Sequence, residues 1–169
     1  ALAGKSEVTL FMLGGSYSGA IMANATDATV RVIASGSITF VDAADVSNAT
    51  FILNNVGGTN LCTFPAATYT GCAFVYDASP GSEAAFSRIG FGDVSELRNC
   101  KIDYTMLRMI GTGTNTIINS DISLTSAFAI DNLLAYGSRF YFDNLSAATV
   151  AAPDVRFTGC DIYVSDTIN

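Results

Sequence analysis

The chain has 169 residues, enough for one domain with a real core; half of them are hydrophobic and only 14% are charged. Eight basic against fifteen acidic residues give a formal charge of −7, which argues against nucleic acid and anionic membrane surfaces as partners, since both require clustered Lys and Arg. No apolar run approaches the roughly eighteen residues of a membrane-spanning helix, and with no His and no CxxC pair neither a metal nor a cofactor is expected.

Gln is absent, Lys and Glu are scarce, and Thr, Ser, Ile, Val, Phe, Asn, Asp and Gly dominate, a vocabulary of strands and turns. The chain opens Ala1-Leu2-Ala3-Gly4-Lys5, with no basic segment followed by an apolar one, so it reads as a product made in the cytoplasm. A fragment of a longer chain is the competing reading. Val8–Leu13 and Ala28–Ile33 are predicted strands, separated by a Gly14-Gly15-Ser16 turn, and residues 1–30 are expected to form an opening coil or a cap. Residues 31–169 are expected to be repeat coils, the whole making a single domain.

The repeat is read from seven segments that share a template: apolar, any, Asn/Gly/Ser, small, any, Ile/Phe, any, large apolar. They are Ile33–Phe40, Val46–Leu53, Tyr69–Tyr76, Leu97–Tyr104, Ile117–Leu124, Ala135–Phe142 and Phe157–Val164. Their small residues are Gly36, Ala49, Cys72, Cys100, Ser120, Ser138 and Cys160, at steps of 13, 23, 28, 20, 18 and 22. A coil of about twenty residues with variable loops is a solenoid's signature, because each coil need only stack on its neighbours. The predicted fold is all-β, a right-handed single-stranded parallel β-helix of seven or more coils.

Period-two alternation sends the small residue, the Ile/Phe and the large apolar residue inward together. One predicted column is Phe51, Phe74, Ile102, Ile122, Phe140, Ile162; the next is Leu53, Tyr76, Tyr104, Leu124, Phe142, Val164. Asn48, Gly71, Asn99, Asn119, Gly137 and Gly159 precede the strands, where a sharp bend favours residues that tolerate left-handed backbone angles. Stacked Asn side chains are expected to bond along the axis.

Cys72, Cys100 and Cys160 share the small inward position with Ala and Ser, which makes them core filler; Cys62 lies outside the template. Free thiols are expected, with a Cys72–Cys100 bridge between coils as the alternative. The outward position after the small residue reads Lys101, Asp121, Arg139, Asp161, a ladder of alternating sign, with Asp103, Tyr141 and Tyr163 beside it. Ion pairing and register specification explain this strip most simply. The same residues are the candidate binding site: tyrosines stack on sugar rings, and paired carboxylates with a cation suit glycosidic chemistry. Each carboxylate is interleaved with a cation, however, so no catalytic residue is assigned. Sequons at Asn24, Asn48 and Asn144 are read as chance matches.

Runs such as Leu97-Arg98-Asn99-Cys100-Lys101-Ile102 and Phe157-Thr158-Gly159-Cys160-Asp161-Ile162 resemble right-handed β-helix proteins of the pectate-lyase-like class, over about residues 30–165. That class includes polysaccharide lyases and hydrolases, and also tailspikes and fibres of bacteriophage virions that are often trimeric. Its enzymes are usually longer and carry an acidic cluster or catalytic His, Arg or Lys in a loop-walled cleft. The resemblance therefore implies a non-catalytic structural or adhesive virion protein: a capsid decoration, knob or tail appendage, made in the host cytoplasm. Expected partners are further copies of the chain in a homotrimer, and other virion or surface proteins. A carbohydrate-binding or polysaccharide-cleaving β-helix, and a surface adhesin fragment, are the alternatives.

Overall fold

A computed structural model describes residues 3–18, 21–55, 61–76, 88–109, 111–142 and 154–165. The strands run in chain order as β1 (Glu7–Met12), β2 (Gly15–Tyr17), β3 (Thr29–Ala34), β4 (Ile38–Phe40), β5 (Val46–Ser47) and β6 (Thr50–Asn55). Next come β7 (Leu61–Phe64), β8 (Thr68–Thr70), β9 (Ala73–Tyr76), β10 (Arg88–Phe91), β11 (Glu96–Arg98) and β12 (Lys101–Met109). The last are β13 (Asn115–Ile118), β14 (Asp121–Ile130), β15 (Asn132–Tyr136), β16 (Arg139–Phe142), β17 (Asp154–Thr158) and β18 (Asp161–Val164). Met22–Asn24 form a single 3-10 turn.

Every pairing is parallel, and the strands line three faces of a β-solenoid. The first face stacks β1, β3, β6, β9, β12, β14, β16 and β18; the second stacks β2, β4, β7, β10 and the later halves of β12 and β14. The third face is the separate six-stranded sheet of β5, β8, β11, β13, β15 and β17. β12 and β14 run unbroken around one corner, with a register irregularity between Tyr104 and Met106, and so join the first two faces into one sheet.

The expected seven or more coils overstate the complete turns, because the count takes in six first-face strands and one segment, Ile33–Phe40, whose strand lies on another face. Among the described residues about five turns, those opening with β3, β6, β9, β12 and β14, carry a strand on all three faces. The segment Ile33–Phe40 does not belong where the template placed it. Ile38 and Thr39 pair with Cys62 and Thr63 on the second face, and the first-face strand of that turn is β3, with Thr29 opposite Thr50. The true equivalent of Ala49 is Ala28, which removes the anomalous step of 13 residues. Gly36 instead sits at a corner where two coils touch: a Cβ there would lie 2.9 Å from the Gly14 Cα. Gly15, read as part of a turn, starts β2.

The corner into the first face is built alike in seven successive coils. Asp27, Asn48, Gly71, Asn99, Asn119, Gly137 and Gly159 all have positive φ, between 48° and 64°. Each of the six from Asp27 to Gly137 donates its N–H to a third-face carbonyl of the following coil, as Asn99 does to Ile118 and Asn119 to Tyr136. Among the described residues an axial side-chain bond at this corner runs from Asn48 Nδ2 to Asp27 Oδ1 at 3.0 Å, joining an Asn to an Asp rather than to the expected second Asn.

Alternation then fills the core. β3 buries Val30, Val32 and Ala34, β7 buries Cys62 and Phe64, and β16 buries Phe140 and Phe142. Both predicted columns are in register, and β1 and β3 extend the first of them to Val8 and Val30. Tyr76 keeps its backbone register, while its side chain lies outside the described residues. Phe40, Phe51, Phe64, Tyr69, Phe74 and Phe91 form one aromatic cluster, with touching ring centroids 4.9 to 6.3 Å apart. Burial of each such ring contributes roughly 1.5–3 kcal/mol before the edge-to-face contacts are counted.

Candidate functional site

The outer side of the first face carries the candidate strip, because the residues that alternate with the core column point outward. Register sets Lys101, Asp121, Arg139 and Asp161 on successive rungs, and Asp103, Ser123, Tyr141 and Tyr163 on the parallel column. All seven residues singled out from the sequence therefore lie on one face. Arg139 Nε is 3.2 Å from Asp121 Oδ1, with both side chains more than half exposed. Lys101 does not bond across the rung to Asp121; its Nζ lies 4.0 Å from Asp103 Oδ2 on the same strand. Asp161 has no ion-pair partner among the described residues.

The Asp121 carboxylate, followed by a hydrogen bond with Tyr141, raises the Arg139 guanidinium above its ordinary pKa. Tyr141 and Tyr163 stack face to face, with centroids 4.8 Å apart and rings tilted by 9°. A shallow recess of about 330 Å³ runs over the strip from Lys101 to Tyr141. Beyond it a smaller one, about 160 Å³, is lined by both tyrosines. The face thus offers charged and aromatic groups side by side on a flat, open surface.

The cysteine column has a role that the description as core filler understates. At two of these corners the backbone N–H of the small residue bonds to a side chain of the next coil. The Cys100 N–H donates to Ser120 Oγ at 3.0 Å, and the Ser120 N–H to Ser138 Oγ at 3.1 Å. The two hydroxyls donate in turn to carbonyls two residues back, Ile118 and Tyr136, at 2.9 Å each. Thiols of Cys72, Cys100 and Cys160 reach the equivalent carbonyls at 3.4–3.6 Å. The position therefore favours a small side chain with a donor. All four cysteines are free, and the Cys72–Cys100 bridge does not form. The neighbouring Cys72 sulfur, together with burial, pushes the Cys100 thiol up, and burial alone does the same at Cys62. Among the described residues no three metal-ligating side chains converge.

Two surface features escaped the sequence reading. At the N-terminal end Phe11 and Leu13 are 79% and 74% exposed, and with Ile33 and Ser35 they line a recess of about 330 Å³. The run Val8–Leu13 is largely apolar on both sides, so alternation could not tell which residues face out. On the second face Leu61, Thr63, Gly90 and Arg108 line a recess of about 200 Å³. The Asn144 sequon lies outside the described residues; Asn48 occupies the corner.

No protein-family model matches the chain, and no curated protein or solved structure is detectably similar to it. What the structure supports is the fold alone, a parallel β-solenoid of about five turns.

Proposed function

We propose that the chain is a non-catalytic structural or adhesive solenoid that recognises its partner through the outer side of the first face. The observation that carries this reading is the make-up of the strip: exposed charges neutralised locally, Arg139 on Asp121 and Lys101 beside Asp103, next to two stacked tyrosines. Such a surface suits lateral contact, where complementary charge sets register and aromatic rings supply area. Glycosidic chemistry draws on a different arrangement, a carboxyl held protonated in an apolar pocket opposite a second carboxylate. The resemblance of the repeat adds the setting: a phage virion part such as a capsid decoration, knob or tail appendage, assembled with copies of itself as a trimer.

Light scattering of the purified chain, combined with pull-down on intact particles and cell envelopes, tests this reading. A stable trimer retained by particles is the expected result. Depolymerisation of acidic polysaccharides that is lost in Asp121→Asn or Asp161→Asn would overturn it. A second reading, carbohydrate binding, is favoured by the Tyr141–Tyr163 stack beside Arg139 and Asp121; a monomer that retains polysaccharide and loses it in Tyr141→Ala would select it.

A further inference from the structure

The outer side of the second face carries a column of polar side chains with one gap in it. Register places Ser16, Thr39, Thr63, Gly90 and Arg108 on successive rungs. The gap at Gly90 is not demanded by the backbone, whose φ lies outside the left-handed region. Packing does not demand it either. A Cβ there would meet Leu61 Cδ1, the end of a flexible side chain, at 3.3 Å, and its next neighbours at 3.6 Å. Gly92, two residues on, is different, since a Cβ would lie 2.6 Å from the Ala66 nitrogen. A strand glycine that neither turn nor packing requires marks a place where something else approaches the backbone. It leaves a recess of about 200 Å³ in the middle of the solenoid, walled by Leu61, Thr63 and Arg108.

Charge selects what enters. β2, β4, β7, β10 and the later halves of β12 and β14 contain two charged residues, Arg88 and Arg108, and no acid, although the chain as a whole carries −7. Arg88 stands on the same outer side two residues before Gly90, diagonal to Arg108. Among the described residues neither arginine has an ion-pair partner, whereas Arg98, Arg139 and Arg156 each have one. The acids at the corner that follows are already engaged: Asp93 accepts from the N–H groups of Thr112 and Gly113, and Asp131 from that of Gly111. Arg108 is half-buried, and a guanidinium in that position without a carboxylate is an anion receptor, because its planar fork offers two parallel N–H bonds. Thr63 adds a hydroxyl from across the gap, and Leu61 adds an apolar wall. The volume falls below the roughly 300–1,000 Å³ of sites for drug-sized molecules, so the occupant is a small group.

We propose that the Gly90 recess binds a carboxylate on a short aliphatic arm, with the carboxylate on Arg108 and Thr63 and the arm against Leu61. Arg88 strengthens the local positive potential that draws the anion in. A free short-chain acid and a glutamate side chain of a partner polypeptide offer the same chemistry. The site lies on a different face from the strip and does not depend on it.

NMR titration of the 15N-labelled chain at low ionic strength tests the proposal. Butyrate should shift the Gly90 and Arg108 amide resonances and saturate at millimolar concentration, while butyramide, which has the same shape without the charge, should bind at least about tenfold more weakly. Arg108→Gln and Gly90→Val should each weaken butyrate binding about tenfold or more, the first by removing the charge and the second by filling the recess. Arg98→Gln, which removes a cation from the third face, should leave it unchanged. Thermal midpoints check that the variants fold; if Gly90→Val does not, Gly90→Ala and Arg108→Gln carry the test. N-acetylglutamate N-methylamide separates the two sources: binding of it alongside butyrate supports a polypeptide side chain, and binding of butyrate alone supports a free acid. Absence of shifts at Gly90 and Arg108, equal binding of butyrate and butyramide, or undiminished binding in Arg108→Gln would overturn the proposal.

Discussion

The fourth coil and the last coil carry the same template, and they come to opposite ends. Phe74 and Ile162 occupy one column of the core, three coils lie between them, and the intervening Ile102, Ile122 and Phe140 are all fully buried. Phe74 is enclosed by Phe51, Phe64, Tyr69 and Phe91, whereas Ile162 is 48% exposed. Alternation within a strand decides only which way a side chain points. Whether that direction is dry depends on the coils above and below, so a solenoid's interior is a property of the stack.

The largest expected effect is on the middle coils, through pH. Burial raises the pKa values of Tyr69 and Cys62, and Cys100 is raised by its contact with Cys72 and by burial. A raised folded-state value means that the native chain holds these protons more tightly than the unfolded chain. Their contribution is therefore intact below the ordinary values of 9.0 for a thiol and 10.0 for a phenol, and falls as pH climbs beyond them. Cooperative unfolding above about pH 10 is expected. Circular dichroism across pH 7–12 checks it, and a fold unmoved at the alkaline end would mean that the middle coils do not open. Under neutral conditions 5,5′-dithiobis-(2-nitrobenzoate) should label Cys160, which is partly exposed in the last coil, and leave the three buried thiols until the chain unfolds.

Truncation tests the same contrast mechanically. Phe74→Ala should cost about 3–5 kcal/mol in urea unfolding, since a ring is removed from a packed cluster. Ile162→Ala should cost no more than about 1 kcal/mol, because much of its surface is already wet. Equal costs would mean that the C-terminal end is covered in solution. A smaller contrast lies at the corners. Gly137 and Gly159 have φ of +55° and +60°, but a Cβ at Gly137 would sit 2.6 Å from Asn119 Oδ1, while at Gly159 nothing lies within 4 Å. Gly159→Ala should cost about 1 kcal/mol for the backbone alone. Gly137→Ala should cost measurably more, and the excess should vanish in an Asn119→Gly background.

Much of this architecture is legible in the residues. The inward columns, the positive-φ corner and the charged strip all follow from one eight-residue template, because stacking forces equivalent positions into contact. Ile33–Phe40 shows where such reading fails. It obeys the same period-two rule as the other segments, yet it lies on a different face, since alternation carries no label for which wall of the prism a strand belongs to. The short step to Ala49 was the only trace of the misfit. The acceptor role of Ser120 and Ser138 was likewise invisible, because it depends on an N–H from the coil before. The bareness of Ile162 and Val164 has no local signature at all: their residue types match those of the buried columns, and the missing neighbour lies outside the strand.

The smallest effect is expected on the strip itself. Arg139 and Asp121 are within 3.2 Å, but both side chains are more than half exposed, so water competes for each charge and holding two flexible side chains together costs entropy. Arg139→Ala, Asp121→Ala and the double change should leave the thermal midpoint where it is, and added salt should move none of the four proteins relative to the others. Coupling in this cycle would require the pair to be shielded from water. Since the chain alone leaves the pair open, that shielding would have to come from a second molecule lying across the first face. A coupling energy that appears only at high protein concentration would therefore make the strip an interface between copies; one that appears only with a ligand present would keep it a recognition surface.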